Sequence, residues 1–139
     1  MPTIIDTSVW VCMFRDTTGK IAPLITNLIG TDEVVMPQPV RFELLQGCRD
    51  AADWARMEQR VDAFQILDMT GSDWTEAAQL SFDARRAGFT IRTGIDCCIA
   101  QLALRTSCRL LHLDKDYEAI AKIRPLQLLR LLVTGARPS

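Results

Sequence analysis

Short β-branched or apolar segments alternate with helical segments along the chain, and this alternation constrains the fold more than any other sequence feature. Each predicted strand is a short apolar run bounded by turn or helix signals, at 3–5, 33–36, 65–69, 109–113 and 126–132. Between them, apolar residues recur at helical spacing over 7–15, 20–29, 40–47, 50–64, 71–86, 94–105 and 117–123. Because alternating strands and helices form right-handed crossovers, the predicted fold class is α/β, with three layers and a mainly parallel central sheet.

Two of the predicted helices differ in how their apolar residues are arranged. The helix over 94–105 is apolar almost all round, which predicts that it is buried. The helix over 71–86 instead has an apolar face, formed by Trp74, Ala77, Ala78 and Phe82.

The length and composition indicate one globular domain. The 139 residues are 48% hydrophobic and 24% charged, which is ordinary for a folded domain of this size. We expect a single domain over 1–134 and a loose tail over 135–139. No apolar run approaches the roughly 20 residues of a membrane span, and no secretory signal opens the chain, so we expect a soluble, cytoplasmic protein with no membrane partner.

The cysteines do not indicate a zinc site or a disulfide framework. Their number, five, is odd, no Cys-x-x-Cys pair occurs, and the chain has one histidine. We therefore expect buried thiols in a reducing compartment.

Acidic side chains follow the predicted strands or begin the helices after them. Ligands of open parallel sheets bind beyond the carboxyl ends of the strands, so these acids are expected to meet at one edge. Each also has a structural explanation: a helix N-cap, a helix-dipole contact, a capping box with Thr93, or a turn residue. The acids are Asp6, Glu43, Asp96, Asp114 and Asp116.

Converged carboxylates repel one another unless a cation neutralises them. The hard divalent ions Mg²⁺ and Mn²⁺ take oxygen ligands, and such a site activates water and stabilises charge on a phosphate. With five acids assigned to metal, 16 basic side chains face 12 acidic ones, and 13 of the 16 are arginine, which suits phosphate binding. Genomic composition is an alternative explanation for the arginine content.

Four segments in this order resemble the motifs of the PIN-domain ribonucleases, and most closely the VapC toxin branch of VapBC toxin–antitoxin pairs. They are residues 4–10 (IIDTSVW), 42–44 (FEL), 95–100 (IDCCIA) and 113–117 (LDKDY). The resemblance spans residue 3 to about residue 132. It implies a three-layer α/β/α PIN domain that cuts RNA, often tRNA or other structured RNA, with Mg²⁺ or Mn²⁺.

The resemblance also implies roles for individual residues. The catalytic quartet that also binds metal is Asp6, Glu43, Asp96 and Asp114. Glu43 either binds the metal or orients the attacking water, and Asp116 matches a fifth, metal-binding acid of part of the family. Ser8 takes the position of a residue that steadies the site, whereas we expect His112, just before the last motif, to pack rather than bind metal.

The function predicted from this resemblance is a metal-dependent endoribonuclease, the toxin of a VapBC pair. Its expected partners are an RNA substrate and a VapB-type antitoxin, in a complex that contains a toxin homodimer. An antitoxin helix in an apolar groove would place an arginine against the carboxylates. Candidate groove residues are Trp10, Phe14 and Leu45, although a place in the core is the favoured alternative for them.

Two other functions remain open from the sequence. A non-catalytic PIN-fold binding domain would be expected to lack one or more of the acids. A haloacid-dehalogenase-like phosphatase would need a second aspartate two residues after Asp6, where this chain has Ser8.

Overall fold

Residues 1–133 are described by a computed structural model, in which five strands form one sheet. The strands are β1 (Thr3–Ile5), β2 (Val34–Pro37), β3 (Gln65–Leu67), β4 (Arg109–His112) and β5 (Leu128–Arg130). They lie in the order β3-β2-β1-β4-β5, and each neighbouring pair is parallel. The predicted α/β class and parallel sheet are confirmed. The predicted tail over 135–139, and the domain boundary at residue 134, lie outside the described residues.

Seven helices connect or flank the strands of residues 1–133. They are α1 (Thr7–Arg15), α2 (Ile21–Ile29), α3 (Gln38–Gln46), α4 (Ala51–Val61), α5 (Gly71–Arg86), α6 (Gly94–Thr106) and α7 (Lys115–Ala121). The predicted helix from residue 40 begins at Gln38 instead, because a proline such as Pro39 is tolerated in the first turn. Within this part of the chain, no helix has the length and apolar character needed to cross a membrane.

The order of the strands reverses between β1 and β4, the central pair of the sheet. The chain goes from β1 to β2 and β3 on one side, whereas β4 and β5 lie on the other side. At such a reversal the two connections leave the carboxyl edge in opposite directions, which opens a crevice for a ligand. Asp6 directly follows β1, and Asp114 lies two residues beyond the end of β4. The topology therefore places both acids at this crevice.

Helix α6 is a central part of the core, as its apolar sequence predicts. Its buried residues include Ile99, Ala100 and Leu102, which the solvent does not reach. Cys97 and Cys98 are also buried, and all five cysteines are free thiols, two of them partly exposed. Burial raises the pKa of the Cys97 thiol to about 11, so this side chain acts as a neutral apolar group.

Helix α5 buries only Ala77 of the apolar face identified by spacing. Trp74 is 56% exposed and Phe82 is 45% exposed, whereas the helix buries the small or aliphatic residues Ala77, Leu80 and Ala84. Small side chains on the inner face allow α5 to pack closely against α6. The two aromatic rings remain on the surface, and Trp74 lines a groove of about 640 Å³ together with Phe42 and Trp54.

The three residues predicted to line an antitoxin groove do not together form an exposed surface. Trp10 and Leu45 are buried, with 8% and 5% exposure, and only Phe14 is partly exposed at 37%. Trp10 packs against Phe14 and Phe64 with ring centroids 5.9 and 5.3 Å apart. The core placement, which was the alternative for these side chains, is therefore correct for Trp10, whereas Leu45 is buried and also lines the groove beside Phe42.

A buried carboxylate joins α5 to α6. Asp73 has no exposure, and its side chain accepts hydrogen bonds from the backbone N–H of Thr70, from Gln101 Nε2 and from Arg105 Nε. Thr70 completes a capping box at the start of α5. Although burial alone would raise it, the pKa of Asp73 is held at about 2 by these donors. The contact fixes the helix that carries Asp96.

We expect Asp73→Ala to destabilise the protein by about 2 kcal/mol, because the Thr70 N–H, Gln101 and the partly exposed Arg105 lose the buried acceptor that they share. Urea unfolding of the two proteins at pH 7 measures the difference. The exposed Asp68→Ala is the control and should change the free energy of unfolding by less than about 0.5 kcal/mol. Equal stabilities of wild type and Asp73→Ala would contradict a structural role for this contact.

Candidate metal-binding active site

Three of the predicted acids lie together at the carboxyl edge of the sheet. One carboxylate oxygen from each of Asp96, Asp114 and Asp116 lies within 4.8 Å of the other two. Asp96 comes from the first turn of α6, whereas Asp114 is the N-cap of α7 and accepts a hydrogen bond from the Asp116 N–H at 2.9 Å. The starts of two helices thus hold the three carboxylates in one place.

Asp6 lies next to this group of three and is tied to it by a tyrosine. The Tyr117 hydroxyl donates to Asp6 Oδ1 at 2.6 Å and lies 3.3 Å from Asp96 Oδ1. The other oxygen of Asp6 accepts from the backbone N–H and the hydroxyl of Ser8, so Asp6 is also the N-cap of α1. The capping explanation is confirmed for Asp6, whose catalytic and metal-binding role stays a prediction, and Ser8 holds the carboxylate through its N–H and its hydroxyl.

Glu43 reaches the same region from α3. Because this helix begins at Gln38, Glu43 lies in its second turn, where the helix dipole no longer explains it. Its Oε1 accepts a hydrogen bond of 2.6 Å from the hydroxyl of Thr7, the residue after Asp6. Burial and the charge of Asp6 raise the pKa of Glu43. Glu43 and Asp6 are outside the group of three but close enough to repel it.

The carboxylates repel one another strongly, and Asp96 shows the effect most clearly. Burial, followed by the charges of Asp6, Asp114, Glu43 and Asp116, raises the pKa of Asp96 to about 7. The capping-box explanation for Asp96 is wrong, because Thr93 caps α6 through the Ile95 N–H and the Asp96 side chain faces Tyr117 instead. The Tyr117 pKa lies well above its ordinary value, since burial and the charges of Asp6, Asp96 and Glu43 oppose a phenolate.

A positive side chain of the chain itself partly neutralises this site. Arg92 Nη2 lies 2.5 Å from Asp114 Oδ2, and Arg92 Nε lies 3.3 Å from Asp116 Oδ2. The backbone N–H of Arg92 also donates to Asp116 Oδ2, at 3.1 Å. One guanidinium faces five nearby carboxyl groups, so negative charge remains in excess.

His112 is a packed side chain, as expected from the sequence. Its Nδ1 accepts a hydrogen bond from the Asp114 backbone N–H at 3.1 Å, and its ring packs edge-on against Tyr117. Burial lowers the pKa of His112, which keeps the imidazole neutral. The ring therefore holds the backbone of Asp114 through this hydrogen bond and is not part of the group of converging ligand atoms.

The donor set fits a hard divalent cation. Within the part of the chain that the structure describes, the ligand atoms that converge are carboxylate oxygens, with no sulfur or imidazole nitrogen among them. Mg²⁺ and Mn²⁺ prefer such donors, whereas zinc prefers nitrogen and sulfur. Burial and then the neighbouring negative charges raise the pKa of Asp96, and a cation bound here would offset both effects.

Three residues of the site were given no role by sequence reasoning. Tyr117 was part of a motif, but nothing in the sequence shows that its hydroxyl bridges two distant acids. Thr7 and Arg92 likewise meet their partners only through the fold, at separations of 36 and 22 residues. The position of Arg92 could have indicated a role, because this residue directly precedes the N-cap of α6 in a connection that passes the site.

Comparison with known proteins identifies relatives over nearly the whole chain. The family description "PIN domain" matches residues 3–123. Ribonuclease VapC11 of Mycobacterium tuberculosis is 38% identical over 128 residues, which cover 89% of this chain and 95% of the relative. VapC ribonuclease Mb1587 of Mycobacterium bovis matches to the same extent.

Solved structures share the fold at lower sequence identity. A chain of VapBC-1 from nontypeable Haemophilus influenzae aligns with a TM-score of 0.75 at 20% identity, over 94% of this chain and 98% of that one. A chain of VapBC2 from Rickettsia felis, bound to a DNA fragment from its promoter, aligns with a TM-score of 0.73 at 16% identity over the same shares.

The raised pKa of Asp96 predicts how the stability of the metal-free protein depends on pH. Because the pKa is higher in the folded than in the unfolded state, the ionised carboxylate destabilises the fold, and stability is lost as pH rises from about 4 through about 7. In EDTA at pH 8, Asp96→Asn should therefore be more stable than wild type by on the order of 2 kcal/mol. Urea unfolding from pH 4 to pH 8 measures this difference.

The same measurement on Glu76→Gln, which removes one exposed charge from α5, provides the control. Its stability should follow that of wild type at every pH. A constant difference between Asp96→Asn and wild type across this range would show that Asp96 is not strained by its neighbours.

Proposed function

Because the chain belongs to the PIN-domain family, and within it to the VapC ribonucleases, we propose that it is a metal-dependent endoribonuclease and the toxin of a toxin–antitoxin pair. The observation that carries this proposal is the group of three carboxylates beside Asp6, with more negative charge than Arg92 neutralises. A site of this charge has little use in a purely structural domain, since it opposes folding.

We assign the metal to Asp96, Asp114 and Asp116, with Asp6 and Glu43 as further ligands or as hydrogen-bond acceptors around it. A bound Mg²⁺ or Mn²⁺ supplies a Lewis acid that activates water and stabilises charge on a phosphodiester.

The side chains around the carboxylates position them. Tyr117 and Ser8 hold the two oxygens of Asp6, so that its carboxylate keeps one orientation as charge in the site changes. Thr7 holds Oε1 of Glu43. With a raised pKa, Glu43 is suited to accept a proton from a water and to orient that water for attack. No side chain is needed as a nucleophile.

We propose RNA as the substrate, and tRNA or another structured RNA as its class. The basic side chains outside the site, most of them arginine, suit contacts with RNA phosphates. The relatives whose names carry "ribonuclease" cover almost the same length of chain as this protein, which supports transfer of the activity.

The proposed partners are a VapB-type antitoxin and a second copy of this chain in a larger toxin–antitoxin complex. The solved structures that share the fold include complexes named VapBC. A carboxylate site with excess negative charge favours an inhibitor that inserts a positive side chain, because an arginine supplies the charge that a metal would otherwise supply.

We expect the purified protein to cut total cellular RNA in Mn²⁺ or Mg²⁺ but not in EDTA, leaving 5′-phosphate and 3′-hydroxyl ends. Asp96→Asn should reduce cleavage at least about 100-fold while the protein stays folded, because it removes a charge that holds the metal. Sequencing of the RNA ends gives both the rate and the sites of cleavage.

Glu76→Gln is the control and should cut at the rate of wild type. Folded Asp96→Asn that cuts as fast as wild type would remove Asp96 from the mechanism. Hydrolysis of p-nitrophenyl phosphate by the wild type, without RNA cleavage, would instead favour the phosphatase alternative.

Expression of the protein alone should arrest growth, and co-expression with its cognate VapB-type antitoxin should restore growth. Asp6→Asn should be harmless, yet still co-purify with the antitoxin. Asparagine is as good an N-cap as aspartate, so this substitution removes the charge and leaves the start of α1 intact. Colony counts and affinity co-purification measure the two effects. If Asp6→Asn remains fully toxic, toxicity does not arise from this site.

A further inference from the structure

Arg92 holds two of the three carboxylates that form the candidate metal site. Its guanidinium makes a fork, with Nη2 on Asp114 and Nε on Asp116, and both contacts use an Oδ2 oxygen. Arg92 lies in the connection between α5 and α6, just before the N-cap of α6. Arg92 is therefore a loop residue, whereas the three carboxylates lie at the starts of two helices.

A guanidinium and a divalent cation compete for these carboxylates. The Oδ2 oxygens of Asp114 and Asp116 point at Arg92, so a metal bound to the same groups would stand beside a positive charge. Two such cations a few ångströms apart repel each other by an amount comparable to the attraction that holds Arg92. Binding of metal thus favours a position of Arg92 away from Asp114.

The exposure of the three side chains shows which of them is able to move. The Arg92 side chain is 68% exposed, whereas those of Asp114 and Asp116 are 15% and 6% exposed. Because the guanidinium keeps most of its contact with water, the two ion pairs hold it only weakly in place. The backbone N–H of Arg92 bonds Asp116 independently of the side chain, so the loop stays attached when the guanidinium leaves.

We infer that Arg92 is an internal counter-ion of the metal-free site, which divalent metal displaces and which then contacts a phosphate of the RNA. This inference rests on the function proposed above and adds a phosphate-binding residue to it. The released guanidinium stays tethered at the rim of the site, and its planar fork fits a phosphate as well as it fits two carboxylates. Arg92 also lowers the repulsion among the acids until metal arrives.

The first test measures Mn²⁺ binding directly, without RNA, by electron paramagnetic resonance and calorimetry. Arg92→Gln should bind Mn²⁺ about 3- to 10-fold more tightly than wild type, because no guanidinium has to leave. Arg130→Gln is the matched control, since Arg130 is an exposed arginine paired with Glu118 of α7 and not with the site. Arg130→Gln should bind Mn²⁺ with the affinity of wild type. This result would show that the tighter binding by Arg92→Gln is local and does not come from the loss of one positive charge anywhere on the protein.

The second test measures binding of a fluorescein-labelled RNA 20-mer of mixed sequence by stopped-flow anisotropy, before cleavage develops. In saturating Mn²⁺, Arg92→Gln should bind this RNA about 3- to 10-fold more weakly than wild type. In EDTA the two proteins should differ by less than twofold, because Arg92 is then held by Asp114 and Asp116. Arg92→Lys should bind RNA at an intermediate strength, since it keeps the charge and loses the fork.

Unchanged or weaker Mn²⁺ binding by Arg92→Gln would overturn the counter-ion role and leave Arg92 as a support of the ligands. Equal RNA binding by Arg92→Gln and wild type in Mn²⁺ would overturn the phosphate contact. If neither wild type nor any variant binds Mn²⁺, the proposed metal-dependent function fails as well. If wild type and Arg92→Gln bind Mn²⁺ with the same affinity, only the counter-ion role of Arg92 fails.

Discussion

Repulsion among carboxylates at one edge of the sheet is the constraint on which the rest of the site depends. Five acids approach one another there, and burial together with the charges of the other four raises the pKa of Asp96 to about 7. Proteins keep such clusters where the charge is used, because a folded domain without that use is more stable when the acids are apart. The Arg92 contact, the tyrosine hydroxyl and the helix starts are all responses to this one electrostatic problem.

Two of these acids are helix N-caps as well as members of the candidate site. Asp6 and Asp114 cap the first turns of α1 and α7, so the N–H groups of two helices stabilise negative charge at two of the proposed metal ligands. Tyr117 lies on the inner face of α7 and is fully buried, which brings its hydroxyl to Asp6 from the opposite side of the crevice. The same carboxylate is therefore able to cap a helix and to take part in the site.

The errors of the sequence interpretation have a common origin. Spacing identifies which side chains share a face of α5, but it does not say whether that face meets a neighbour; close packing against α6 selects the small residues, and Trp74 and Phe82 stay outside. The same limit applies to Trp10 and Leu45, whose burial depends on what α1 and α3 pack against. An apolar side chain is equally suited to a core and to a partner surface.

The sequence by itself determined the α/β class, the parallel sheet and the identities of the acids, because hydrophobic periodicity and strand-end position are local properties of the chain. Helices α1 and α5 begin and end where their spacing and caps predict. Only the tertiary structure decided that Tyr117 bridges Asp6 and Asp96 and that Arg92 lies across Asp114 and Asp116. These contacts join residues 21 to 111 positions apart. Their geometry depends on how the elements pack, and no local pattern records that.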